Sequence, residues 1–203
     1  MMDLSLLREK MKAYEPSIME IKRHSALLIP FTEYEGELCL LFELRSSNVS
    51  QPGEVCFPGG GIEEGESPVQ AALREAEEEL GLQTEDIEML GQFDSLVLYT
   101  NMALHCCIGY VRPEALEHMH PCEREVAGWF TLPISWLMEN SPYVYEYELI
   151  PLIGDDFPYD AVQSSDKYNW RQGSCTVPIW NYEDYCLWGI TARIVLRLLD
   201  FLV

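Results

Sequence analysis

Residues 73–82 read LREAEEELGL, a stretch whose charges oppose its most natural conformation. Helical here, it gathers Glu75, Glu77, Glu78 and Glu79 into two turns, with Arg74 as the one base among them. Side chains three and four apart on a helix touch, so each like-charged pair costs about 0.2–0.5 kcal/mol, and the helix C-terminus repels anions as well. Something must offset that cost. The helix ends are well marked: Ser67 can cap, Pro68 suits the first helical position, Gln70 completes a capping box and Gly81 can close the helix in the left-handed conformation. In this register Val69, Ala72, Leu73, Ala76 and Leu80 share an apolar face, and Glu75, Glu78 and Glu79 fall in an adjacent arc of about 100°. Glu77 points away as solvated charge, and Arg74, one turn before Glu78, can orient a carboxylate.

Just upstream, residues 57–66 read FPGGGIEEGE, where Pro58 and three successive glycines permit sharp turns and leave backbone carbonyls uncovered. Carboxylates together with a carbonyl suit hard, hydrated Mg²⁺ or Mn²⁺, ions that usually also take substrate phosphates. Glutamate content alone favours a plainer reading, an acidic helix on an acidic protein. Spacing changes the balance. Residues 60–82 fit G-x5-E-x7-R-E-U-x-E-E-x-G-U, with Gly60, Glu66, Arg74, Glu75, Glu78, Glu79, Gly81 and Leu82 in place and the small Ala76 at an aliphatic position.

That pattern resembles the Nudix box, and the sequence looks like a Nudix hydrolase. The resemblance implies an α/β fold of the Nudix type, an α/β/α sandwich with a mixed β-sheet between helices, and hydrolysis of a diphosphate joined to a nucleoside. It implies that Glu75, Glu78 and Glu79, with the Gly59 carbonyl, hold Mg²⁺ or Mn²⁺. Within the box Glu75 or Glu78 is the candidate proton acceptor, with Glu125 a further candidate outside it; Arg74 orients the glutamates and Glu66 the loop. Metal ions bridging a diphosphate would neutralise it, acidify a bound water and stabilise the leaving phosphate.

A narrower likeness extends upstream. Residues 40–60, LLFELRSSNVSQPGEVCFPGG, are similar to the segment that precedes the box in coenzyme A diphosphatases, with Arg45, Ser46, Gly53, Val55, Phe57, Pro58, Gly59 and Gly60 matching. Residues 123–137 and 185–195 also resemble that subfamily. Arg45, Ser46, Phe57, Gly60 and Glu66 are therefore expected to frame the substrate, a coenzyme A-like nucleoside diphosphate. The loop SNVSQP departs from the subfamily: it carries no base and is one residue short, which weakens discrimination for a 3′-phosphate. Arg23, Lys167 or Arg171 would compensate if the fold brings them near. Trp170, Tyr168 and Tyr159 are candidates to clasp an adenine or a pantetheine arm, whereas Trp129 and Trp188 read as packing. ADP-ribose or a reduced dinucleotide is the alternative substrate, and a nucleotide-binding module without turnover the alternative class.

The remaining chain is consistent with one Nudix hydrolase domain over residues 1–203, with residues 1–20 as an amphipathic helical extension. Its 34 acidic and 13 basic residues leave a formal charge of −21, which disfavours nucleic acid and anionic membranes as partners. Seven cysteines without CxxC spacing, most in apolar runs, read as buried reduced thiols of a cytoplasmic protein, and the four histidines share no ligand spacing. No apolar run approaches a membrane span, no signal peptide is expected, and the final FLV is not a peroxisomal address. A homodimer is the ordinary expectation. β-like runs recur at residues 25–31, 37–44, 54–57, 87–99, 104–111 and 126–132, and helical periodicity at 67–80, 134–138 and the C-terminus, where Leu187, Ile190, Ile194, Val195, Leu198 and Phe201 mark a stripe. Helices would then cover both faces of one sheet, and residues 153–174 form a long polar loop.

Overall fold

The computed structural model describes residues 3–162 and 168–203. In chain order these form α1 (Leu4–Lys12), β1 (Arg23–Tyr34), β2 (Glu37–Arg45), β3 (Val55–Cys56), β4 (Gly59–Gly61), α2 (Pro68–Leu80), β5 (Ile87–Leu98), β6 (Met102–Val111), β7 (Val126–Pro133), α3 (Ile134–Glu139), β8 (Tyr143–Leu149), β9 (Gly173–Tyr182), β10 (Tyr185–Trp188) and α4 (Gly189–Leu202). Seven strands make a mixed sheet whose central pair, β1 and β6, is parallel.

The sheet contains a fork that creates the site. Strand β1 pairs with β2 only over Phe31–Tyr34, and on the same edge its lower half pairs instead with β4, Leu27 opposite Gly59 and Ala26 opposite Gly60. Strand β2 in turn meets β3 beyond its contact with β1, while β7 runs along its other edge. The segment carrying β3 and β4 is thus wedged where β1 and β2 diverge. Gly59 fits because it has no side chain: a Cβ there would stand 2.5 Å from the Ala26 carbonyl oxygen and 2.6 Å from the Leu27 Cβ.

Alternation along the strands separates two cores. Leu27, Ile29, Leu40, Phe42 and Leu104 face α4 residues Ala192, Ile194, Val195 and Leu198, with Trp180 of β9 and Leu187 of β10 in the same cluster. Ala26, Leu28, Leu41 and Cys107 face α2 through Ala72, Ala76 and Leu80. Leu80 is fully buried, a contribution of about 1.5–3 kcal/mol. Helix α2 itself starts at Ser67 with both hydrogen bonds of the capping box and stops at Gly81, whose φ is 73°.

Several expectations are corrected. Residues 143–149 and 173–188 hold a second, three-stranded antiparallel sheet in the order β10-β9-β8, which shields the α4 side and was not legible as strands. Leu187 belongs to β10, and Ile190 and Phe201 are exposed, so the buried C-terminal stripe is narrower than the pattern predicts. Trp188 is 44% exposed instead of packed, and Gly173 and Ser174 belong to β9 instead of the loop. Only Cys39, Cys106 and Cys107 of the seven cysteines are buried. Helix α1 buries none of its residues.

Candidate active site

Helix α2 presents its glutamates to the fork. Glu79, only 5% exposed, accepts a 2.8 Å hydrogen bond from the Gly59 N–H, which ties the last turn of the helix to β4. Glu75 lies against Gly60 so closely that a Cβ at residue 60 would collide with its carboxylate. Gly60 is therefore a site requirement, because any other residue would displace Glu75. Glu78 lies further out, with its side chain 58% exposed, and Glu77 is exposed.

Arg74 organises the outer half. Its Nε and Nη2 donate to the two oxygens of Glu66 at 3.0 and 3.2 Å, its Nη1 donates to Glu75 at 2.8 Å and to Glu78 at 3.3 Å, and its Nη2 also meets the Gly61 carbonyl at 2.9 Å. Glu66 accepts the Glu63 N–H as well, so one guanidinium pins the glycine-rich loop to the helix. The hydrogen bonds from Arg74 hold Glu66 below the usual carboxylate range, and the bond to Glu66 in turn raises the proton affinity of Arg74.

The inner half behaves in the opposite way. Burial pushes Glu79 up to about 8, with the charge of Glu43 adding to it and the Gly59 N–H opposing it. Burial pushes Glu43 up to about 7, eased by the Cys56 thiol. Glu75 is also raised, by burial first and against the pull of Arg74. Without a counter-charge Glu43 and Glu79 hold protons near neutral pH; with one, they become oxygen donors of the hard type.

Glu43 is the residue that motif reading misses. It sits in β2 opposite Cys56 on one side and Trp129 on the other, and it is 1% exposed. The Cys56 thiol donates to its Oε1 at 3.2 Å, whereas its Oε2 is buried with no partner among the described residues. Such an orphaned buried oxygen is costly and fits a cation or a donor supplied by a ligand. A signal was present in the run ELCLLFEL: Glu43 lies two residues after Leu41, so strand alternation places both on the α2 side of the sheet.

The donor set fits Mg²⁺ or Mn²⁺ in chemistry, being all oxygen, and the unpartnered Oε2 of Glu43 shows acceptor capacity that the protein alone leaves unused. Among the described residues, however, no three His, Cys, Asp or Glu side chains are already gathered as a metal cage. The reason is visible in the hydrogen bonds: Arg74 draws Glu75 and Glu78 toward the loop while Gly59 holds Glu79 inward.

The other predicted residues are placed as follows. Phe57 is 4% exposed and stacks on Phe42 with ring centroids 4.7 Å apart, so it supports the fork from within the core. Ser46 is likewise buried at 3%; its hydroxyl donates to the Arg124 carbonyl at 2.5 Å and its N–H to the Glu125 carbonyl at 2.8 Å. These bonds tie the end of β2 to the segment that carries Glu125. Glu125 is exposed, yet its charge raises the proton affinity of Glu43, Glu75 and Glu79, which places it at the rim of the same cluster. Arg45 spends its Nε on the Ser50 carbonyl at 2.7 Å and braces its own loop. Tyr159 and Trp170 pack edge-on against Phe157, and Tyr168 against Trp170, as a local aromatic cluster. Arg171 is exposed, Arg23 lines a cleft beside the loop, and Lys167 lies outside the described residues.

A NUDIX domain model matches residues 22–151, the span from β1 through the fork and α2 to β8. The chain belongs to the Nudix family. As a Nudix hydrolase it is 30% identical over 179 residues to NudL, an uncharacterised Nudix hydrolase of Enterobacter sp. strain 638, covering 87% of this chain and 81% of that one. It is 32% identical over 146 residues to the mouse peroxisomal coenzyme A diphosphatase NUDT7, covering 70% of this chain and 59% of the relative. Among solved structures, RenU, a Nudix hydrolase from M. smegmatis, aligns with a TM-score of 0.49 at 22% identity, over 58% of this chain and 74% of that one.

Proposed function

We propose that this Nudix hydrolase is a divalent-metal-dependent diphosphatase that cleaves coenzyme A or an acyl derivative into adenosine 3′,5′-bisphosphate and 4′-phosphopantetheine. The observation that carries the chemistry is the pairing of a glycine fork with a half-buried carboxylate cluster, Glu79 on the Gly59 N–H and Glu75 against Gly60. The choice of substrate is supported by the likeness to mouse coenzyme A diphosphatase and by the matching segment from Arg45 to Gly60. The whole chain is read as one catalytic domain working in the cytoplasm, with α1 as an extension.

Glu75, Glu78, Glu79 and the Gly59 carbonyl would hold Mg²⁺ or Mn²⁺, which neutralises the diphosphate and acidifies a bound water. The chain's own groups do the rest. Arg74 orients Glu75 and Glu78 beside the glycine-rich loop, and Glu66 anchors Arg74. Glu75, set against Gly60 and oriented by Arg74, accepts the proton of the attacking water. Glu125 at the rim is the second candidate for that proton. Packing of α2 on Ala26 and Leu28 holds these groups in place while the bond breaks.

The test is a hydrolysis panel of coenzyme A, 3′-dephospho-coenzyme A, ADP-ribose and NADH with Mg²⁺ or Mn²⁺, with products identified by mass. Adenosine 3′,5′-bisphosphate and 4′-phosphopantetheine are expected, with coenzyme A giving the highest kcat/KM. Faster turnover of ADP-ribose or NADH would replace the substrate assignment. Absence of any turnover would place the chain among nucleotide-binding modules.

A further inference from the structure

A cleft of about 840 Å³ opens beside the glycine-rich loop, and its lining is unusual for so acidic a protein. Lys22, Arg23, His24 and His105 contribute four nitrogenous side chains, facing Glu63 and Glu66 across the cleft. Glu66 is turned toward Arg74 by two hydrogen bonds, and Glu63 makes no ion pair among the described residues. Lys22 and Arg23 make no ion pair among the described residues, in contrast to Arg74 and Arg197. Their backbone is fixed all the same: both N–H groups donate to the Asn101 carbonyl, at 2.8 and 3.3 Å.

The histidines form a relay across three adjacent strands. The Ser95 hydroxyl lies 3.0 Å from His105 Nδ1, and His105 Nε2 lies 3.0 Å from His24 Nδ1, with the two rings stacked at 5.4 Å. Burial first, and then its neighbour, lowers the proton affinity of His105. When Ser95 donates inward, His105 donates to His24, and His24 Nε2 is left with a hydrogen to offer. An anion in the cleft selects that arrangement.

Register sets the distance to the carboxylate cluster. Ala26 pairs with Gly60 on one edge of β1 and with His105 on the other, and His24 is two residues further along β1. At a strand rise of about 3.3 Å per residue, His24 stands roughly 7 Å from the position backing Gly60 and Glu75. A ribose phosphorylated on both its 5′ and 3′ oxygens covers such a span.

We infer that Lys22, Arg23, His24 and His105 form a phosphomonoester subsite, which takes the substrate's phosphate remote from the diphosphate under attack. The assignment rests on reading the glutamate cluster as the diphosphate site. It also answers the missing base in SNVSQP: the positive charge that recognises the second phosphate comes from the start of β1 instead of the loop after β2.

The test uses the full chain in Mg²⁺ buffer, titrated with adenosine 3′,5′-bisphosphate and, separately, with adenosine 5′-monophosphate. The ring signals of His24 and His105 in NMR spectra should shift with the bisphosphate and not with the monophosphate. The Lys22→Ala/Arg23→Ala double variant should bind the bisphosphate about tenfold more weakly or worse, at an unchanged melting temperature because both side chains are exposed. In turnover, the wild-type preference for coenzyme A over its 3′-dephospho form should fall in that variant by a similar factor. Equal affinity for the two nucleotides, unmoved histidine signals, or a response of His24 to Zn²⁺ but not to phosphate would overturn the subsite. If the wild type cleaves no coenzyme A but still binds the bisphosphate through these residues, the substrate assignment fails and the subsite stands.

Discussion

Glu66 and Glu79 belong to the same short segment, yet the fold treats them in opposite ways. Glu66 lies in a loop, takes two hydrogen bonds from Arg74 and is held as an anion. Glu79 is buried at the end of α2, has one backbone donor and no cation, and keeps its proton up to about 8. The difference shows how one sequence motif supplies two kinds of carboxylate, one that builds the loop and one kept in reserve for a ligand. Residue type decides neither role; burial and the reach of a single guanidinium do.

Breaking the reserve half should have the largest effect. Glu75→Gln is expected to lower kcat by about 10²–10⁴ in the hydrolysis assay while leaving the melting temperature equal or higher, since the change removes a negative charge from a crowded patch. A folded variant with undiminished turnover would shift the proton acceptor to Glu78 or Glu125.

The next effect is on stability against pH in metal-free protein. Glu43 and Glu79 have folded-state proton affinities above that of a free glutamate, near 4.5, so their contribution is complete below that pH and is lost as pH rises through about 7 to 8. Thermal unfolding in the presence of a chelator should therefore show a melting temperature that falls from pH 5 to pH 9. The Glu43 part amounts to about 3 kcal/mol, and Glu43→Gln should remove much of that slope. Added Mg²⁺ should restore stability most at the alkaline end, and a pH-independent melting temperature would contradict the burial argument.

Breaking the paired half should cost less. Arg74→Ala leaves Glu75 and Glu78 unoriented, and kcat/KM is expected to fall about 10- to 100-fold, as for other groups that orient metal ligands. Added salt should not rescue it, because the guanidinium supplies direction as well as charge. The smallest effect belongs to Ser67→Ala, which removes the cap of α2: about 1 kcal/mol of stability by denaturant titration, with turnover nearly intact.

How far this was legible in the chain differs by region. The span from Ser67 to Gly81 was readable end to end, because caps, Pro68 and the left-handed Gly81 are local devices whose meaning does not depend on distant residues. Most strands of the mixed sheet were also readable, since one or both faces are buried and the pattern records it. Strand β8 was not: most of its residues are exposed, and without a buried face an edge strand has no hydrophobic signature. That Phe57 and Ser46 are buried depends on how β2 and the glycine-rich segment pack, which the motif match does not encode.

By itself the sequence determined the acidic helix, its ends, the phase of its carboxylates and the family to which they belong, because these follow from spacings within one helical turn or one motif. The tertiary structure alone decided which acids are buried, that Glu43 joins them from another strand, and that His24 and His105 meet across 81 residues of chain. Those outcomes depend on strand register, and register is settled by which faces can be buried together, a property of the whole sheet that no single stretch contains.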